Sequence, residues 1–125
     1  MNYRLREYLI DLCAKGETIS YQILSDQCKL DLDMASPGDR SKIAVLLVEV
    51  ATYEHNNKRP LLTAIVIAKQ THKQGDGFFR LGEQFGYGNW QTLKENLFDK
   101  EQIKQCFEFW GSNENYSTYR NIKYE

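Results

Sequence analysis

The middle of the chain carries a stretch with a pattern of its own, Leu61-Leu62-Thr63-Ala64-Ile65-Val66-Ile67-Ala68. It is apolar, rich in β-branched residues and bounded by turn formers, which predicts a buried strand. The polar segment 69–77 follows, and Gly77-Phe78-Phe79 can return as a short antiparallel strand. Residues 61–79 therefore predict a β-hairpin with a long cationic tip.

Helices precede this hairpin. Apolar residues at i, i+3, i+4 and i+7 predict an amphipathic helix over residues 3–14 that ends at Lys15-Gly16. Residues 18–20 suit a brief strand, and Ser20 can cap a second helix over residues 21–28. Ser36-Pro37 predicts the start of a third helix that reaches about Glu54, because a capping hydroxyl precedes a proline at the first helical position.

Further helical segments follow the hairpin. Residues 79–85 predict one or two turns closed by Gly86, and Asn89 can cap a helix that begins at Trp90. Asp99 and Gln102 resemble a capping box for a last helix that ends at Gly111. The sequence thus predicts one domain over residues 1–111. The polar tail 112–125, with Tyr116, Tyr119 and Tyr124, is either frayed or laid on the body through its aromatic rings.

Composition bounds the class of protein. The chain has 125 residues, 42% of them hydrophobic, and a net charge of −1, which excludes a protein that coats DNA by bulk charge. Cys13, Cys28 and Cys106 lie far apart and predict buried free thiols, and together with His55 and His72 they form no zinc-like group. We expect no metal and no cofactor. The absence of a long apolar run or a secretory signal predicts a cytoplasmic protein that does not enter a membrane.

The predicted order of elements is helix, strand, helix, helix and hairpin, which is that of a winged helix. We therefore expect an α+β, mainly helical fold with a winged-helix-like core and C-terminal helices. The segment Thr18-Ile19-Ser20-Tyr21-Gln22-Ile23-Leu24-Ser25 resembles the strand-to-helix segment of the DNA-binding domain of alkylguanine-DNA alkyltransferases and their non-catalytic relatives, commonly Val-Thr-Tyr-Gly-Glu-Leu-Ala. Arg59-Pro60-Leu61-Leu62-Thr63-Ala64-Ile65-Val66 falls where that family has Pro-Cys-His-Arg-Val-Val. Gly75-Asp76-Gly77-Phe78-Phe79 falls near its Gly-x-x-Gly-Gly-Tyr.

The departures from this family concern its chemistry. When Pro60 is set on the family's proline, Leu61 stands at the alkyl-accepting cysteine and Leu62 at the following histidine. The nucleophile and its activating partner are both absent, so the resemblance implies no alkyl transfer and we expect no enzymatic activity. The chain is also similar to small uncharacterised bacterial and prophage proteins with an Ile-Ser-Tyr start and a Pro-Leu-Thr-Ala type of strand, which carry no established activity.

Two functions are compatible with these observations. The first is non-catalytic binding of double-stranded DNA by the third helix and the basic hairpin tip. Its candidate contacts are polar or basic residues, namely Arg40, Ser41, Lys42, Arg59, Lys69, Thr71, His72 and Lys73. The alternative is a protein-binding module, such as a prophage-borne inhibitor of a host or defence protein, or a homodimer. Trp90 and Phe109 are its candidate contacts, because the helical phase places Phe109 off the apolar stripe of the last helix.

Overall fold

A computed structural model describes residues 1–122 of the protein, and α-helices dominate that part of the chain. In chain order the elements are α1 (Tyr3–Lys15), β1 (Ile19–Ser20), α2 (Tyr21–Gln27), α3 (Pro37–Asn56), a 3-10 helix (Leu62–Ile65), β2 (Val66–Ile67), α4 (Asp76–Gln84), α5 (Trp90–Glu95), α6 (Phe98–Gly111) and α7 (Asn113–Tyr119). The mainly helical α+β prediction is confirmed. Within the described residues no helix has the length and apolarity needed to cross a membrane.

Local capping explains where the helices begin and end. The Asn2 side chain accepts a hydrogen bond from the Leu5 amide at the start of α1, and Gly16 ends that helix in the left-handed conformation with φ +71°. Ser36 caps α3 by accepting from the Asp39 amide, and Pro37 occupies its first position, as the sequence predicts. Ser20 stands at the N-cap of α2, but its hydroxyl makes no capping bond there.

The predicted hairpin is wrong. β1 and β2 pair in parallel, with Ile19 opposite Val66, and α2 and α3 supply the crossover that parallel strands need. Residues 62–65 form the 3-10 helix, and Gly77-Phe78-Phe79, the expected return strand, lies inside α4. The winged-helix core is therefore not confirmed.

Burial on all sides explains this error. Residues 61–67 are all buried, with no alternation between buried and exposed positions. Their apolar run is therefore explained by complete burial in the core and does not indicate a β-strand. The Gln74 side-chain amide donates to the carbonyls of Thr63, Ala64 and Val66, at 3.2, 2.8 and 2.6 Å. These bonds satisfy backbone oxygens that a hairpin would have paired with a neighbouring strand.

The buried side chains form two clusters. The larger one joins α1, α3, the 3-10 helix and α6, and it includes the three cysteines, which are buried free thiols as predicted. The smaller one contains Leu61 and Ala64 together with Phe78, Phe79 and Phe98. α6 begins at Phe98, so the capping-box prediction is wrong, and Gln102 instead accepts the Leu61 amide at 2.9 Å.

The C-terminal segment lies on the body of the protein. Residues 113–119 form α7, and the Tyr116 hydroxyl donates to the Asp11 carboxylate at 2.6 Å. The Arg120 guanidinium donates to the same carboxylate at 2.7 and 2.9 Å. Of the two alternatives left by the sequence, the tail is thus laid on the body. Tyr124 lies outside the described residues.

Candidate interaction surface

The middle of the outer face of α3 carries apolar side chains that the described residues leave exposed. Ile43, Leu47 and Val50 point into the larger cluster. Val45 and Val48, three residues apart, expose 59% and 45% of their surface, and Ala44 beside them is also exposed. A helix on the surface of a globular protein ordinarily turns polar residues outward. The core therefore explains only one side of α3.

A groove of about 210 Å³ runs beside this exposed face, between α3 and α4. We call it the α3–α4 groove. Its lining is mostly apolar and consists of Tyr21, Ala44, Leu47, Val48, Thr63, Gln74, Gly75, Gly77, Phe78 and Leu81. Because three hydrogen bonds tie Gln74 to the backbone around the 3-10 helix, the wall opposite α3 is held in place.

Two glycines in this wall leave its backbone uncovered. A Cβ atom added to Gly75 or Gly77 would have no neighbour within 4 Å, and neither residue has a positive φ. Neither packing nor backbone conformation therefore requires glycine at these positions. What their small size provides is open access to the main chain along one wall of the α3–α4 groove.

The predicted basic tip is a closed loop between β2 and α4. Lys69, Thr71, His72 and Lys73 are all exposed on it. The His72 amide donates to the Ala68 carbonyl at 2.8 Å, and the Ala68 amide donates to the Lys73 carbonyl at 3.1 Å. These two backbone hydrogen bonds close the base of the loop. Lys69 and His72 border a second cavity of about 380 Å³ beside Ile23 and Ser20. The loop therefore adjoins the start of α2, and Tyr21 there connects it to the α3–α4 groove.

The predicted contacts at the start of α3 are exposed but already engaged within the chain. The Arg40 guanidinium donates to the Met34 carbonyl at 2.9 Å, and the Ser41 hydroxyl donates to the Pro37 carbonyl at 3.2 Å. The Lys42 ammonium lies 3.8 Å from the Asp39 carboxylate. Asp39 thus offsets part of the positive charge that a phosphate would meet here.

Arg59 is not a surface cation, so the expectation that it stands exposed among the other basic candidates is wrong. Only 5% of the residue is exposed, and its Nε lies 2.9 Å from the Glu54 carboxylate. Glu54 also pairs with Arg6 at 2.8 Å, and both of these residues are fully buried. At the end of α3 the Arg59 amide donates to the Glu54 carbonyl at 2.9 Å. The backbone turns back at this bond, and the Arg59 side chain lies inward beside Glu54. Nothing in the local sequence predicts this buried ion cluster.

The two aromatic residues predicted for a protein interface are half-buried. The Arg80 guanidinium lies over the Trp90 ring, 4.3 Å from its centroid. The Phe109 ring contacts Trp110 and Tyr119, with centroid separations of 4.8 and 5.9 Å. α7 therefore covers part of Phe109, whereas Val45 and Val48 on α3 are more exposed.

The α3–α4 groove is formed by segments that lie far apart in the sequence. Tyr21, Thr63 and Gly75 come from three separate stretches of the sequence, and all three line the α3–α4 groove. Sequence reasoning missed Ala44, Val48 and Leu81, since apolar residues on a helix are ordinarily assigned to the core. No protein-family model matches the chain, and no curated protein or solved structure matches it either.

Proposed function

We propose that the protein is a non-catalytic binding module that holds an apolar helical segment of a partner protein in the α3–α4 groove. The observation that carries this proposal is the exposure of Val45 and Val48 beside a preformed, mostly apolar groove. Contiguous exposed apolar surface marks interaction sites on soluble proteins. An amphipathic helix that inserts its apolar side chains into a groove is a recurrent form of such recognition.

The charges next to the groove favour an acidic partner segment. Arg40 lies one turn before Ala44 on the same side of α3, and Lys73 directly precedes Gln74 in the opposite wall. Complementary charge steers association and fixes the orientation of a bound segment. The partner proposed here is therefore an amphipathic helix with apolar side chains along one face and acidic residues at the edge of that face.

Double-stranded DNA is the second candidate, and the exposed cations Arg40, Lys69 and Lys73 favour it. Two observations make it weaker than a protein partner. Arg59 is buried in an ion pair, and the middle of the outer face of α3 carries Val45 and Val48. A helix that reads the major groove presents hydrogen-bonding side chains to the base edges, which valine cannot supply.

The non-catalytic part of the proposal is supported by burial. Leu61 and Leu62, which stand where the resembled family has its cysteine and histidine, are both fully buried. A labelled O6-alkylguanine oligonucleotide should therefore add no mass to the protein. A stoichiometric mass gain on any cysteine would contradict this expectation.

A displayed library of amphipathic helical peptides provides the test. Peptides are selected on the wild-type protein and counter-selected on a Val45→Asp/Val48→Asp variant, and binding is then measured by fluorescence anisotropy. The expected winners carry an apolar stripe with acidic flanks, and they bind the double variant at least tenfold more weakly. Leu97→Asp is the matched control, because Leu97 has the same 59% exposure as Val45 but lies between α5 and α6.

Each result decides between the candidates. If no peptide prefers the wild-type protein to the double variant, the proposal is wrong. Duplex binding that weakens in Lys69→Ala/Lys73→Ala, with a salt slope lower by roughly 1 to 2 units and no effect of the valine substitutions, would establish the DNA candidate instead. Light scattering of both variants reports whether the occupant is a second copy of the chain.

A further inference from the structure

A separate cavity lies at the other end of α3. It has a volume of about 320 Å³, and its lining combines aromatic, cationic and amide side chains: His55, Lys58, Arg59, Pro60, Tyr87 and Gln105. We call it the His55–Tyr87 cavity. His55 follows Val48 by seven residues, or roughly 10 Å along the helix axis. No residue is shared with the α3–α4 groove.

The aromatic side of this cavity is held rigidly. The His55 ring stacks on Phe85 with a centroid separation of 4.2 Å and an interplanar angle of 11°. The Tyr87 ring lies 5.7 Å from His55 and 5.0 Å from Phe98, which belongs to the smaller buried cluster. Tyr87 nevertheless remains 43% exposed. The His55 and Tyr87 rings are inclined to each other by 58°, so the cavity has a pre-positioned aromatic corner that solvent can reach.

The chain around Tyr87 is shaped to present this ring. Gly86 and Gly88 have φ values of +89° and +135°, conformations that other residues rarely adopt. Burial raises the pKa of the Tyr87 phenol above its ordinary value, at which the hydroxyl is already a neutral hydrogen-bond donor at physiological pH. The aromatic corner therefore also offers a donor at its edge.

Lys58 supplies the positive charge of the cavity from an unusual backbone position. Its φ is +59°, and it follows α3 where the Lys58 amide donates to the His55 carbonyl and the Arg59 amide to the Glu54 carbonyl. This pair of bonds defines a Schellman motif, whose left-handed position is ordinarily glycine. A lysine is placed here at a conformational cost. The neighbouring Arg59 pairs with the buried Glu54, so the ammonium of Lys58 is the charge presented at the rim.

From this arrangement we infer a second binding site, in which the His55–Tyr87 cavity takes a small ligand made of a flat aromatic ring that bears an anionic group. The ring stacks on Tyr87 and meets the inclined His55 ring at an angle; both stacked and edge-to-face contacts between aromatic rings are favourable. The anionic group lies at Lys58 and forms a charge-assisted hydrogen bond with its ammonium. Gln105, on α6, also lines the cavity; its amide nitrogen donates to the Glu101 carboxylate at 3.2 Å, which leaves the amide oxygen as an acceptor for a polar edge of the ring.

Calorimetric titration of the full chain tests the inference with four probes. Adenosine 5′-monophosphate and phenyl phosphate combine a ring with an anion, whereas adenosine and inorganic phosphate each supply one half. At least one of the combined probes should bind tenfold more tightly than either half, and comparison of the two identifies a purine or a phenyl ring. Tyr87→Leu should weaken this binding at least fivefold.

Lys58→Gly provides the decisive variant because glycine suits its backbone conformation. It should weaken binding of the combined probe at least fivefold without lowering the melting temperature. Lys29→Gly is the matched control, since Lys29 is exposed, follows α2 and has a φ of +54°. If the combined probes bind no more tightly than their halves, or if the two glycine variants weaken binding equally, the inference is wrong.

Discussion

Glu54 balances two buried cations, and its replacement by glutamine should destabilise the protein severely. Its carboxylate accepts hydrogen bonds from Arg6 at 2.8 and 3.5 Å and from Arg59 at 2.9 and 3.4 Å. Tyr53 contributes a ring 5.1 Å from the Arg6 guanidinium, which adds to the enclosure. Glutamine keeps the shape of the side chain but removes its charge. Both guanidinium groups then remain buried without their carboxylate.

The magnitude follows from the cost of an uncompensated buried charge. Breaking a buried ion pair by removing one partner destabilises a protein by about 3–5 kcal/mol. Because Glu54 has no exposed surface, solvent screening does not reduce this figure. The total stability of such a domain is about 5–15 kcal/mol, so Glu54→Gln should remove a large part of it. For a chain of this length we expect the melting temperature to fall by roughly 10–20 °C.

Urea unfolding followed by circular dichroism measures this loss. Glu49→Gln is the control, because Glu49 lies on the same helix but is 46% exposed and is 3.7 Å from the N-terminal ammonium. Its substitution should change the free energy of unfolding by less than about 1 kcal/mol. Glu54→Asp keeps the charge and should fall between the two. If Glu54→Gln costs no more than Glu49→Gln, the carboxylate does not neutralise the buried arginines and the reasoning fails.

Two further predictions concern α1 and α4. Partial burial raises the pKa of Asp11, but hydrogen bonds from Arg120 and Tyr116 outweigh it and place the pKa below its ordinary value. A lowered pKa contributes stability above about pH 4, and this stability is lost as the pH falls through the folded-state pKa. Asp11→Asn should therefore make the urea midpoint depend less on pH below about pH 4. An unchanged pH dependence in this range would contradict the prediction. In α4, a Cβ on Gly82 would lie 2.8 Å from Cε2 of Phe98, so Gly82→Ala should cost about 1–3 kcal/mol in urea unfolding. Gly111→Ala is the control, because its Cβ would have no neighbour within 4 Å, and it should not lower the free energy of unfolding. Equal losses in the two variants would show that the structure relieves the contact between the new Cβ and Phe98.

Local chemistry made part of the fold predictable. The capping groups Ser36 and Asn89 act within three residues of themselves, and each accepts the expected backbone amides. Gly16 ends α1 for an equally local reason. These features need no knowledge of the rest of the chain, which is why the sequence predicts the bounds of α1 and α3 to within two residues and the start of α5 at Trp90.

The remainder depended on contacts between distant residues. The parallel pairing of Ile19 with Val66 and the bonds from Gln74 to the 3-10 helix replaced a hairpin that local propensity favoured. The sequence around Arg59 indicates an exposed cation. In the structure Arg59 is buried because it shares the Glu54 carboxylate with Arg6, which lies on the first helix. The α3–α4 groove could not be predicted either, because its walls come from α2, α3, the 3-10 helix and α4, which only the tertiary fold brings together.

Arg6 also joins events that are far apart in time. Its guanidinium donates to the carbonyls of Tyr119 and Arg120 at 2.9 and 2.8 Å, across 113 and 114 residues of chain. A ribosome that adds about 5–20 residues per second makes these acceptors roughly 6–23 s after it makes Arg6. Glu54 is synthesised within that interval, but the two carbonyl acceptors of Arg6 do not exist until its end. The hydrogen bonds of Arg6 are therefore complete only after α7 has been synthesised, and the packing of α1 around this side chain cannot be finished earlier.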